Sequence, residues 1–212
     1  MNSKPIILIV SAPSGCGKGT ILHEAFRDKD VFVSVSCTTR GPRENETDGV
    51  HYHFWTEEKF NRLVKKNGFL EHAGFTDNQY GTPEQPVLDN LAEGRDVILE
   101  IETNGAFQVK EKRPDAVSVF ILPPSIGELR RRLYKRGTEP PEKIEKRVSR
   151  AAGEIALSPK YDFVMMNDDL DDAVRDFLTI YNAAKTDDGS ADCFRPCNEE
   201  ITNMINEVLE NA

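Results

Sequence analysis

Ile6-Ile7-Leu8-Ile9-Val10, then Ser11-Ala12-Pro13-Ser14-Gly15-Cys16-Gly17-Lys18-Gly19-Thr20, then Ile21-Leu22-His23-Glu24-Ala25-Phe26 is the stretch that decides the fold. A short unbroken apolar run reads as a strand buried on both faces, the kind found in parallel sheets. Ile21, Leu22, Ala25 and Phe26 share one face of a helix. In the ten residues between, glycines let successive backbone N–H groups turn inward, the helix start adds its dipole, and Lys18 adds a mobile positive charge. Strand, Gly-rich loop and helix together make a phosphate-binding loop spanning Ser11 to Thr20. An incidental Lys in a Gly-rich turn leaves the flanking elements unexplained. The loop departs twice from G-x-x-x-x-G-K-[ST]: Ala12 replaces the first Gly, and Gly19 stands where a hydroxyl usually helps hold Mg²⁺. Thr20 is the nearest hydroxyl.

Working outward, Val31–Val35, Val97–Ile101, Val117–Leu122 and Asp162–Met166 are further strand candidates separated by helical stretches. They predict an α/β fold, a three-layer core around a mostly parallel sheet. About sixty residues lie between Val35 and Val97, far beyond the roughly 2–6 of an ordinary connection, so a small inserted subdomain is expected. Ser125-x-x-Glu128 opens a charged helix, Gly137, Pro140 and Pro141 break it, and a second charged helix follows to Arg150. Such a charged, weakly apolar helical pair reads as a mobile lid. After Lys185 a polar linker leads to a short amphipathic helix bearing Ile201, Ile205 and Leu209.

The net charge of −9 argues against a protein that coats nucleic acid. Between Arg130 and Arg150, however, nine Lys or Arg face three Glu, a patch suited to a compact polyanion such as a nucleoside triphosphate. No run reaches the roughly 20 apolar residues of a membrane span, and the first ten residues do not make a secretory signal, so a cytoplasmic enzyme is expected. Cys16, Cys37, Cys193 and Cys197 read as unpaired thiols. Neither the cysteines nor His23, His51, His53 and His72 have the spacing of a metal site.

Ser36-Cys37-Thr38-Thr39-Arg40-Gly41-Pro42-Arg43 places two arginines three residues apart beside hydroxyls, a second anion site suited to a monophosphate, to which Tyr52 and Tyr80 can add phenol donors. Further along stand Phe69-Leu70-Glu71-His72-Ala73, Tyr80-Gly81-Thr82, Leu99-Glu100-Ile101-Glu102 with Gly105, Arg136-Gly137-Thr138-Glu139, and Val164 to Asp169.

These segments, in this order from about Pro5 to Lys185, resemble the guanylate kinase family. The resemblance implies a P-loop core (about 5–33, 95–125 and 155–185), a GMP-binding insertion (about 34–94), a helical lid (about 126–154), and a tail from 186 to 212 outside the pattern. It implies that Ser36, Arg40, Arg43, Tyr52 and Tyr80 hold the GMP phosphate while Glu71, Thr82 and Glu102 face the guanine. Arg136 and Arg147 match the lid and following-helix positions. Asn167 resembles a residue lining the ATP purine, or else caps the next turn. The implied reaction is transfer of the γ-phosphoryl group of ATP to GMP with Mg²⁺. Glu100-Ile101-Glu102 stands where D-I-D is commoner; Glu100 is either a ligand of Mg²⁺-bound water or an exposed strand-end acid.

The base preference has its own physical reason. Guanine offers N1–H and a 2-amino group to a carboxylate such as Glu71, whereas adenine presents a bare N1 lone pair. An intact Lys18, Arg40, Arg43 and Glu71 disfavour a non-catalytic guanylate-kinase-like binding module. Arg130, Arg131, Arg132 and Arg150 read as a solvated helix face. Closure of insertion and lid over both nucleotides is expected to exclude water.

Overall fold

The computed structural model describes residues 4–75, 77–137 and 140–210. Thr138 and Glu139, half of the RGTE segment, lie outside them. In chain order the elements are β1 (Ile7–Ser11), α1 (Lys18–Phe26), β2 (Val31–Ser34), β3 (Cys37–Thr38), β4 (His53–Phe54), α2 (Glu57–Lys65), β5 (Phe69–Phe75), β6 (Asn78–Pro83) and α3 (Glu84–Ala92). There follow β7 (Asp96–Glu100), α4 (Thr103–Lys112), β8 (Val117–Leu122), α5 (Ile126–Arg136), α6 (Pro141–Ile155), β9 (Phe163–Met166), α7 (Leu170–Thr186) and α8 (Glu199–Glu210).

Five parallel strands form the expected central sheet in the order β2-β7-β1-β8-β9. Ile9 on the middle strand lies opposite Leu99 on one side and Ser118 on the other. Leu8, Ile9, Val10, Ile98, Phe120 and Ile121 are fully buried, each aliphatic side chain contributing about 1.5–3 kcal/mol on leaving water. Because the chain leaves β1 toward β2 on one side and later lays β8 on the other, a crevice opens at the carboxyl ends of these strands. Around the sheet, Phe26 of α1 meets Phe177 and Tyr181 of α7 edge-on at 5.7 and 5.1 Å. Asp162, read as part of the last strand, falls just outside it. Its carboxylate instead accepts from Ser118 N and Lys110 Nζ, each at 2.8 Å.

A second sheet, ordered β4-β3-β6-β5, is built from the long interval. Thr56 caps α2 by accepting from Lys59 N at 3.3 Å. α2 buries Phe60 against Phe69, ring centroids 4.6 Å apart, and against Cys37. This sheet is fastened to the core by one stripe of α4. Gln108 Nε2 donates to His72 O and its Oε1 accepts from His72 N, both at 3.2 Å, completing the edge of β5 as a neighbouring strand would. One turn on, Lys112 Nζ donates to Phe69 O at 2.6 Å. One turn back, Gly105 lies against Glu71.

Ser125 caps α5, its Oγ accepting from Glu128 N at 3.0 Å, and Gly137 ends the helix at φ 61°. The α5–α6 pair is less weakly apolar than its charge implied, since Leu129, Leu133, Ile144, Val148 and Ile155 all join the main core. The stretch read as a linker is also packed. Ala191 is buried, Arg195 sits 4.9 Å over the Phe163 ring, and α8 sets Ile201, Ile205 and Val208 into the core beside α6. Val208, one residue before the expected Leu209, is the buried position; Leu209 packs only partly. This tail covers β9, an edge strand otherwise open to pairing. Among the described residues no helix is long and apolar enough to cross a membrane.

Candidate active site

The loop after β1 turns on Gly15 and Gly17, at φ 96° and 91°. A side chain at either is excluded twice, by this left-handed backbone and by its neighbours. A Cβ on Gly17 would lie 2.5 Å from Asn167 Nδ2, and one on Gly15 2.8 Å from Leu133 Cδ2. Cys16 N donates to Pro13 O at 3.1 Å, closing the turn. Ser11 Oγ donates to Ile101 O at 2.8 Å, which ties the loop's entry to the end of β7. Ala12 is half-buried, while Ser14, Gly19 and Thr20 are exposed along the rim. The Cys16 thiol is buried against Ile121 O, and burial pushes it up to about 12, so no thiolate is at hand.

Asn167 is buried, and its Nδ2 donates to Cys16 O at 2.6 Å. Its side chain therefore buttresses the loop. The turn into α7 is capped instead by Asp169, whose Oδ1 accepts from Asp171 N at 2.9 Å and Asp172 N at 3.1 Å.

Lys18 Nζ lies 3.7 Å from Glu100 Oε1. Burial lowers the pKa of this ammonium, while the charges of Glu100, Glu102 and Glu154 raise it. Glu154, on α6, is half-buried, and burial followed by the Glu102 charge raises its carboxyl to about 7. Glu102 precedes α4, and its charge acts both on Lys18 and on Glu71. Among the described residues no three acidic, cysteine or histidine side chains form a metal cage.

On the second sheet Glu71 is buried, and Thr82 Oγ1 donates to its Oε1 at 2.7 Å. Ser36 Oγ sits 3.3 Å from Thr82 Oγ1, continuing the chain of hydroxyls. Desolvation raises the Glu71 carboxyl, opposed by the Thr82 hydrogen bonds. Beside it the Tyr52 and Tyr80 rings meet edge-on at 5.8 Å, and Arg40 Nε donates to Tyr80 OH at 3.3 Å.

Arg40 is held from its other end by Glu46, with Nη1 to Oε2 at 2.8 Å and Nη2 to Oε1 at 2.9 Å. Arg43 N also donates to Glu46 at 2.8 Å, leaving the Arg43 side chain exposed at the rim. The Arg40 pair, chiefly, holds the Glu46 carboxyl down at about 2. End-on pairing occupies the terminal edge of the guanidinium and aims the Nε edge at the two tyrosines.

On the donor side a cleft of about 750 Å³ is lined by Gly15 and Gly17, by Arg131, Arg132, Lys135 and Arg136 of α5, and by Asp168. Arg136 is exposed there, while Arg147 is half-buried on α6. Arg132 was read as part of a solvated face, but its Nη1 donates to Asn167 O at 3.1 Å. Glu154 and Arg132 escaped the sequence reading because the one acts on groups remote in sequence and the other is hidden among like charges, while Glu46 pairs locally across a turn that no periodicity marks. Glu46 alone left a trace, an acid three residues past Arg43.

The guanylate kinase family profile matches residues 2–184. A guanylate kinase of Clostridium perfringens (strain SM101 / Type A) is 47% identical over 185 residues, covering 87% of this chain and 86% of its own. That of Caldanaerobacter subterraneus subsp. tengcongensis is 49% identical over 181 residues, 85% of this chain and 88% of its own. The crystal structure of guanylate kinase from Anaplasma phagocytophilum superposes with a TM-score of 0.69 at 34% identity, covering 86% of this chain and 87% of that one. Profile, sequence relatives and solved structure agree with one another and with the fold described above: the chain belongs to the guanylate kinase family.

Proposed function

We propose that this chain transfers the γ-phosphoryl group of ATP to GMP, giving ADP and GDP in purine nucleotide metabolism. The observation that carries the choice of acceptor is the buried Glu71 carboxylate, held by Thr82 beside the Arg40 and Tyr80 donors. A buried carboxylate without a hydrogen-bonded partner is costly, and guanine supplies that partner through N1–H and N2–H, whereas adenine opposes it with a lone pair. In this reading Arg40, Arg43, Ser36, Tyr52 and Tyr80 take the monophosphate, Glu71, Thr82 and Glu102 the base, and the second sheet is the acceptor subdomain.

The donor phosphates lie in the loop from Ser11 to Thr20, with Lys18 against their charge. Phosphoryl transfer needs in-line positioning and cations around the transferred oxygens rather than a nucleophilic side chain. Lys18 supplies one cation, and Arg136 and Arg147, on the α5–α6 pair acting as lid, supply others. Mg²⁺ would be carried by the nucleotide, and Glu100, exposed at the end of β7, and the Thr20 hydroxyl, exposed at the rim of the loop, are the oxygen donors that would hold it, Glu100 through water. It would neutralise charge on the transferring phosphates.

A coupled ADP-release assay with GMP, AMP, CMP and UMP tests the reading. Turnover with GMP well above the others is expected. Preference for AMP overturns the role of Glu71, and no turnover with any of them points to a binding module.

A further inference from the structure

We infer that Gly105 is a positioning residue for the acceptor base, a glycine required so that the Glu71 carboxylate can occupy its place. The inference rests on the reading of Glu71 as the guanine acceptor. Gly105 is buried in the first turn of α4, the third residue of the helix, and is not among the glycines with left-handed backbone. No turn geometry calls for glycine there, and alanine is ordinarily the better helix former. What fills the space is the acid across the seam: a Cβ at 105 would lie 2.9 Å from Glu71 Oε2, 3.1 Å from Cδ and 3.2 Å from Cγ.

The other oxygen, Oε1, is fixed by the Thr82 hydroxyl at 2.7 Å. The carboxylate is thus set between a donor on β6 and a bare helix surface on α4. A methyl group at 105 presses on the Glu71 side chain from Cγ to Oε2 and not on backbone, so the side chain shifts, carrying the carboxylate with it, while the fold is kept. The cost falls on recognition rather than on stability. Recognition is sensitive to such a shift, because two parallel hydrogen bonds to N1–H and N2–H demand both oxygens in the base plane.

The test is Gly105→Ala, assayed with GMP and with inosine monophosphate, which lacks the 2-amino group. Glu71→Gln, Glu71→Ala and the Gly105→Ala/Glu71→Ala double variant are measured in parallel. Expected for Gly105→Ala is a Tm no lower than the parent's, a KM for GMP raised about tenfold, kcat and the KM for ATP little changed, and a reduced preference for GMP over inosine monophosphate. In the Glu71→Ala background the same change is expected to add nothing, since no carboxylate remains to be displaced. Loss of folding in Gly105→Ala, an unaltered GMP preference, or an equal added loss in the Glu71→Ala background would each overturn the inference. Glu71→Gln separates the two levels. If it keeps the full preference for GMP, the reading of Glu71 itself is wrong; if it loses that preference while Gly105→Ala does not, only the glycine's role falls.

Discussion

Lys18 Nζ stands 3.7 Å from Glu100 Oε1, where β7 ends beside the loop that follows β1. The lysine side chain is 16% exposed and the glutamate 41%, so the pair joins a mostly desolvated cation to an acid still in contact with water. Such a pair adds little stability. It holds the ammonium over the crevice until a more highly charged partner arrives.

Lys18→Ala should therefore keep the fold and lose the chemistry. Removing a mostly desolvated cation leaves only a carboxylate in contact with water behind, and Tm is expected within a few degrees of the parent. Turnover should drop by about 10²–10³-fold, the usual loss when one preorganised donor to transition-state charge is removed. Calorimetry beside steady-state kinetics checks both halves.

Glu46 fixes Arg40, which the proposed function assigns to the acceptor phosphate. Glu46→Gln keeps the size of the side chain but weakens the two-pronged hold on Arg40, whose Nε edge then loses its aim at Tyr80. The KM for GMP should rise about tenfold, roughly one charge-assisted hydrogen bond, with the KM for ATP unchanged. A rise in both constants would contradict a role confined to the acceptor site.

Asn167→Ala removes the donor to Cys16 O at 2.6 Å and opens space beside Gly17. A buried carbonyl left without its partner costs about 1–3 kcal/mol. The expected outcome is a lower denaturant midpoint together with a raised KM for ATP, because the same bond shapes the loop. GMP binding, measured by calorimetric titration without ATP, should be unaffected.

Glu154 gives the molecule a pH-dependent stability of known sign. Its carboxyl is raised from 4.5 to about 7, chiefly by burial and then by Glu102. Between those values the folded chain retains a proton that the unfolded chain has released, so stability falls as pH rises through the window. Glu154→Gln should flatten that slope and be more stable than the parent at pH about 8, by something on the order of 2 kcal/mol. Equal slopes for parent and variant in urea titrations from pH 5 to pH about 8 would reject the assignment.

How much of this was legible beforehand follows from the range of the interactions. The parallel sheet could be read because each of its strands is a local apolar run, and the loop because glycines, Lys18 and helix are contiguous. The long interval announced a second unit by length alone, but the α4 stripe that fastens it did not show. Gly105 stood out only as part of a motif, and Gln108 and Lys112 not at all; what the three do shows when β5 is laid beside them. Arg132 was lost among like charges, since sequence cannot say which member of a cationic run folds back onto a carbonyl. The packed tail was missed for a related reason: polarity marked residues 186–200 as linker, whereas Ala191 is buried and Arg195, besides its local pair with Asp192, lies over Phe163 of β9.

The stripe on α4 also sets a length. Glu100, beside the donor lysine, and Gly105, beside the acceptor carboxylate, are five residues apart on one continuous run from strand end to helix. Under the proposed function, the gap between donor and acceptor sockets is thus gauged by a short covalent spacer, a strand end joined through two residues to a helix. An insertion or deletion of a single residue between Glu100 and Gly105 would rotate the helix by about 100° per residue, swinging the bare patch away from Glu71 and putting the two sockets out of calibration at one stroke.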